Sequence, residues 1–305
     1  MRSGSEADPV EDASRAAPGW LEAIHARASW RSFLDEPLSA EARRELAATW
    51  ESCPTPFPAQ LRFAWLDLGG EDARNPKRLG TYGTILGART YVVGAVRRGP
   101  FDLEMFGYAL ERVILAATRL GLGTCWLGGA FTRGHYAEWF GVRPDEILPA
   151  VTPVGKVTRH RSWTDRTLRF TAGSRARRSW DTLFFDARFG RPLRRVPDSP
   201  LTMILEAVRV GPSASNRQPW RFVCEDGGAC LHLVLRRTPG YRAVSRGALG
   251  TVDLQRLDTG IAMCHVDLAA EALGRAGGWT AERPAGLELP PQADYVATWR
   301  SAADH

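Results

Sequence analysis

Apolar residues recur at helical spacing from Trp20 to Trp30, and again in EARRELAATW, before which Ser39 stands in the N-cap position. LRFAWLD, from Leu61, and TYVVGAV, from Thr90, alternate or run apolar and read as strands. From Phe106 to Leu120 the apolar positions run nearly all the way round, the pattern of a buried helix, and Gly121 and Gly123 end it. CWLGGAF then follows as a strand or extended loop. The theme returns with a helix over Pro200 to Val210, a loop of Gly, Pro, Ser and Asn, the strands WRFVC and LHLVLRR, and a long helix from Thr259. Helices and strands do not alternate regularly, so the expected class is α+β.

The return is more than thematic. Ala117–Gly121 (ATRLG) falls on Ala270–Gly274 (AEALG) 153 positions later, and at that spacing Gly107 meets Gly260 and Trp126 meets Trp279. LRFAW, from Leu61, matches WRFVC, from Trp220, at a spacing of 159. Two matches in the same order point to a duplicated unit. The expected organisation is a disordered tail over residues 1–18, a first half over 19–165 and a second over 166–300.

Composition narrows the field. The 305 residues are 44% hydrophobic and 24% charged, the balance of a globular protein with a sizeable core. Forty Lys and Arg against 34 Asp and Glu leave a net charge of +6, modest enough to suit a small anionic ligand as well as a polynucleotide. Arginines and aromatics follow no recognisable nucleic-acid module, and no apolar run reaches the roughly 20 residues that span a membrane. The N-terminal stretch has no apolar secretory core, and the five cysteines are scattered without a Cys-x-x-Cys pair. The expectation is a reducing, cytoplasmic setting without structural zinc or disulfides.

Four segments could carry chemistry. Gly211–Trp220 (GPSASNRQPW) joins a helix to a strand; Asn216 and Gln218 offer donors and acceptors to a heteroaromatic edge or a polyol, and Pro212 and Pro219 stiffen the loop. The same residues also make an ordinary turn. Arg27-Ala-Ser29-Trp-Arg31, if helical, sets two guanidiniums on one face as a phosphate clamp, or else forms a solvated basic face. Ser174–Arg178 offers the same two readings. Gly121–Gly129 allows close approach of a flat ligand, although a helix cap and buried strand explain part of it. Cys125 among apolar neighbours reads as a packed thiol. The histidines at 25, 135, 160, 232 and 265 show no metal spacing, and His265 reads as a core or interface residue. There is no hydrolytic triad, and no Gly-x-Gly-x-x-Gly follows a strand.

Taken in order, Arg27-x-Ser29-x-Arg31-x-Phe33, the Gly121–Gly129 segment and Pro212-Ser-Ala-Ser-Asn-Arg-Gln-Pro-Trp-Arg-Phe resemble the nitroreductase family of flavoproteins. The order resembles most its long-chain branch, in which two degenerate copies form an intramolecular pseudo-dimer. The resemblance implies FMN, with NAD(P)H as electron donor and a small-molecule acceptor, in a ping-pong hydride transfer through flavin N5. It also implies a monomeric pseudo-dimer with no nucleic-acid or membrane partner. Arg27, Ser29 and Arg31, completed by Arg175 and Arg177, would hold the FMN phosphate. Pro212, Ser213, Ala214, Ser215 and Asn216, with Gln218 in the same loop, would meet the ring and ribityl chain. Trp126, Leu127, Gly128 and Gly129 would line the flavin. Thr81 and Thr84 fall where the family often carries Asn and Lys against the pyrimidine. Ser52–Gln60 replaces the ring-contact loop in the first half and Gly274–Trp279 lacks the later Gly-Gly, so one site per chain is expected. No catalytic side chain or metal is required. The alternative is a flavin-binding protein without turnover, serving as a sensor, carrier or store.

Overall fold

Alternation and capping account for most of the elements in the computed structural model, which describes residues 19–69, 85–128, 133–157, 176–239 and 252–302. The first half runs α1 (Trp20–Ala26), α2 (Ala40–Glu51), β1 (Leu61–Asp67), β2 (Thr90–Arg97), α3 (Asp102–Arg119), β3 (Gly123–Thr124), α4 (Arg133–Phe140), β4 (Glu146–Ile147) and β5 (Val151–Gly155). The second runs α5 (Trp180–Leu183), β6 (Phe184–Asp186), α6 (Pro200–Arg209), β7 (Trp220–Glu225), β8 (Cys230–Arg236), α7 (Leu254–Ala272), β9 (Gly277–Thr280) and β10 (Ala293–Ser301). As expected, Ser39 caps α2, its hydroxyl accepting from the Ala42 N–H. Ser199 does the same for α6 through Thr202, and Pro200 opens that helix.

The two sheets repeat one another. The first has the order β1-β2-β5-β3, with β4 also on β2, and all its pairs are antiparallel. The second has the order β6-β7-β8-β10-β9; β7, β8, β10 and β9 reproduce β1, β2, β5 and β3 in sequence and direction, and β6 adds a parallel edge. The repetition anticipated from the sequence spacings is therefore present in the strand topology. The division at 165/166 falls in a stretch outside the described residues.

Two expectations are corrected. The helix read through Trp30 ends at Ala26, and Arg27 (φ −53°, ψ 127°) is already extended. Long-range pairing overrides helical periodicity: Trp30 N–H donates to Thr124 O, Leu86 N–H to Arg31 O, and Phe33 N–H to Leu86 O. Arg27 and Arg31 therefore do not share a helical face; with Ser29 they occupy alternate positions of an extended run beside β3. The long second-half helix begins at Leu254 rather than Thr259, because Asp253 caps it through Gln255 N–H.

Between the sheets, α3 and α7 cross with their backbones in contact. A Cβ on Gly107 would run into Leu257 O, and one on Gly260 into Glu104 O, both inside the 3.0 Å that real Cβ atoms keep. The contact is reciprocal, since Gly107 and Gly260 are 153 apart in sequence, as are Glu104 and Leu257. Beside it Arg256 grips Glu104 through two hydrogen bonds (2.8 and 2.6 Å). Met105, Tyr108 and Leu115 of α3 pack in the second-half core, and Leu254, Leu257 and Ile261 of α7 pack in the first-half core. Gly260→Ala is expected to cost about 3 kcal/mol or more by forcing the helices apart. Gly286→Ala, where a Cβ meets nothing within 4 Å, stays within about 0.5 kcal/mol, and thermal denaturation followed by circular dichroism separates the two.

Candidate functional site

The loop after α6 is held in an unusual backbone shape. Ser215 (φ 49°), Asn216 (φ 53°) and Gln218 (φ 48°) all adopt left-handed conformations that non-glycine residues avoid. Such conformations persist only where the surroundings over-determine them. Here Ala214 N–H donates to Asp258 Oδ1 (2.9 Å), and Gln218 N–H donates to Ser213 Oγ (2.8 Å). Asn216 Nδ2 donates to Ala176 O (2.7 Å), Gln218 Nε2 to Asn216 O (3.1 Å), and Arg178 N–H to Gln218 Oε1 (2.8 Å). Gln218 is buried and acts as the inner brace of the loop.

Arg177 donates to Asn216 Oδ1 (2.9 Å) and to Val210 O (3.0 Å), so it is seated on this loop. Burial first, and then the charges of Arg27 and Arg209, push its guanidinium down to about 10. Arg209 is neutralised by Glu206, which accepts two hydrogen bonds from it. Arg177 and Asn216 of the second half are thus held together, with the charge of the first-half Arg27 near enough to act on Arg177.

The other wall comes from the segment after β3. Leu127 exchanges two backbone hydrogen bonds with Val151 (3.0 and 3.1 Å), and a Cβ on Gly128 would lie 3.1 Å from Leu254 in the first turn of α7. Ala214 is tied to Asp258 one turn further along, and both Ala214 and Trp126 pack on the first-half core. The first-half segment 126–128 and the second-half loop 213–216 therefore converge over the start of α7. Trp126 Nε1 donates to Glu111 Oε2 (2.6 Å), Glu111 Oε1 meets His265 Nε2 (2.9 Å), and His265 Nδ1 donates to Ala207 O (2.7 Å). This chain, fully buried at Glu111 and His265, links the two halves and makes His265 the satisfied interface residue expected from sequence.

Pro212 and Ser213 are half-buried at the start of the loop. Thr81, Thr84, Gly129 and Arg175 lie outside the described residues. Sequence reading missed Asp258 and Glu111. Asp258 is fully buried, its Oδ2 has no partner, and burial raises its carboxyl well above the usual carboxylate range. The available signal was an acid, like Asp267, set in the otherwise largely apolar run from Leu257 to Ala270. All five cysteines are free, and among the described residues no group of His, Cys, Asp and Glu could hold a metal and no helix is long and apolar enough to cross a membrane.

A family model described as "Putative TM nitroreductase" matches residues 20–270. The chain belongs to this nitroreductase family. It is similar to a nitroreductase structure from Thermotoga maritima at 20% identity and a TM-score of 0.57, over 97% of this chain and 99% of that one, so it has a nitroreductase-like fold. A nitroreductase with bound FMN from Desulfitobacterium hafniense is 17% identical, with a TM-score of 0.38, over 47% of this chain and 90% of that one. A search of curated proteins returned no match.

In this nitroreductase-family chain Phe57 covers the equivalent place in the other half. Phe101 and Met105 stand 153 positions before Leu254 and Asp258. Phe57 stacks on Phe101 with ring centroids 4.1 Å apart, and its N–H donates to Met105 Sδ (3.3 Å). Trp279, the counterpart of Trp126, donates to Asp267 Oδ1 (2.8 Å), and Tyr108 OH donates to Oδ2 (2.9 Å). Burial nonetheless lifts the Asp267 carboxyl from 3.8 to about 6. The folded state thus holds this proton more tightly than the unfolded chain, so the stabilisation is complete below pH 3.8 and is lost as pH rises towards 6. Between about pH 4 and pH 7 the wild type is expected to lose about 2–3 kcal/mol relative to Asp267→Asn, read as a converging or crossing pair of melting-temperature profiles.

Proposed function

We propose that this protein is an FMN-dependent NAD(P)H oxidoreductase of nitroreductase type, with one FMN per chain in the crevice over the start of α7. The observation that carries the reading is Arg177, seated on Asn216 in a half-buried position and crowded by the charge of Arg27. Two like charges drawn together at a partly buried site favour an anion between them, as a flavin phosphate would supply. Gly128 has little room for a side chain, since a Cβ there would press on Leu254 at 3.1 Å, so the segment after β3 lies close against α7 beside the braced loop. The residues present therefore fit the group. Ser29 and Arg31 lie on the same extended run as Arg27 and complete that end of the crevice.

Bound FMN supplies reversible hydride chemistry, accepting from a nicotinamide and giving to a second substrate. The chain's own part is placement. Arg27 and Arg177 neutralise the phosphate end. The braced loop 213–218 and the segment 126–128 fix the ring between the two halves and leave donor and acceptor to use one open face in turn, a ping-pong order. A small, flat acceptor such as a quinone or nitroaromatic suits such a face. Stacking of Phe57 on Phe101 in the other crevice supports the single site.

Purified protein reconstituted with FMN is expected to show the visible bands of oxidised flavin at one equivalent per chain, and NADPH or NADH under anaerobic conditions to bleach them. Two equivalents would overturn the single site; full occupancy without bleaching would favour a carrier or sensor. Arg177→Met is expected to weaken FMN binding by about 10- to 100-fold, measured by quenching of flavin fluorescence.

A further inference from the structure

The duplicated architecture supplies an internal control for one buried charge. Arg62 in β1 and Arg221 in β7 are the same position of the two matching strands. Their neighbours Phe63 and Phe222 pack towards the helices, so both arginines stand on the outer face of their sheets. Arg62 has a partner: Glu146, itself buried, accepts two hydrogen bonds from it (2.8 and 2.6 Å), and Phe140 lies under the guanidinium. Arg221 has none of this. It is only 4% exposed, yet Nη1 donates to the carbonyls of Gln218 (2.9 Å) and Trp220 (2.6 Å), and Nε has no partner.

The surroundings sharpen the mismatch. The charges nearest Arg221 are those of Arg178 and Arg236, both exposed, which add to burial in lowering its affinity for its proton, to about 9. Arg178 Nε donates to Arg217 O (3.1 Å), and no carboxylate among the described residues pairs with Arg178, Arg221 or Arg236. Removing a guanidinium from water without a counter-charge is costly, and proteins meet that cost with a paired anion. The first half built that anion into the chain as Glu146; among the described residues the second half has no such carboxylate beside Arg221.

The geometry points to a second oxyanion site, formed by Arg221 at its base and Arg178 and Arg236 at its mouth, that binds a phosphate group of a small molecule. Three guanidiniums favour a phosphate dianion over a carboxylate, and the depth of Arg221 below the surface excludes a polynucleotide backbone as the intended partner. The site adjoins the Arg27–Arg177 cluster along the same loop but uses different arginines. Arg177 bonds Asn216 on the loop, whereas Arg178 and Arg221 bond the backbone of residues 217, 218 and 220. It does not depend on the flavin reading.

The test uses the full chain and inorganic phosphate, titrated against chloride at constant ionic strength and read as melting temperature. Phosphate could also enter the flavin cluster, so the titration is run on wild type and on Arg177→Met. Both are expected to show a saturable rise, of about 5 °C at a hundredfold excess over Kd. Arg221→Met should abolish it, and Arg178→Met, an exposed change that leaves folding intact, should weaken phosphate binding at least about tenfold. A rise that vanishes in Arg177→Met, or that survives in both Arg221→Met and Arg178→Met, overturns the proposal. So does the absence of any saturable effect of phosphate.

Discussion

The molecule is organised by one contact, the crossing of α3 and α7 at Gly107 and Gly260. Only glycine lets each backbone reach the carbonyl of the other, and the reciprocity of the contact fixes both the distance and the rotation of the helices. That rotation brings Leu254 under Gly128 and Asp258 under Ala214. It also sets Phe101 and Met105 under Phe57 on the opposite side. Because each helix contributes side chains to both of the larger cores, neither of those cores is built by one half alone. A change at the crossing is therefore felt in both crevices at once.

On that frame the chain holds a loop whose backbone it would not choose in isolation. Three left-handed residues out of four are unfavourable by about 1–3 kcal/mol each, offset by hydrogen bonds accepted by Asp258, Ser213 and Ala176 and one donated by Arg178. The bracing groups come from the loop itself, from the chain just before α5 and from α7. The loop is thus pre-shaped before any ligand arrives, and the entropy of ordering it is spent during folding rather than at binding.

Much of this was legible in the sequence, and the rest was hidden for identifiable reasons. LRFAWLD is a strand over its full length because its pattern and its pairing with β2 agree. Gly107 and Gly260 were visible as a matched pair, as were Trp126 and Trp279. The helix expected through Trp30 failed because Thr124 and Leu86 capture the backbone after Ala26, a long-range competition that local periodicity does not register. Asp258 and Glu111 were illegible for the same reason: their meaning lies in partners 44 and 154 residues away. Arg62 and Arg221 show the limit from another side. Identical letters in matching strands sit in opposite electrostatic surroundings, because the deciding residue, Glu146, belongs to a different element.

The contrast between Asp258 and Met105 has a wider meaning. In a symmetric assembly of identical subunits each mutation is made twice, and a residue useful in one cleft must be tolerated in its mirror image. Covalent fusion of the copies lifts that rule. A buried acid can be kept where it tethers a loop, while its twin becomes a thioether that helps close the opposite cleft, with neither choice constraining the other. Such a chain can specialise one flank as a receptor and harden the other into scaffold, a division of labour closed to any homodimer.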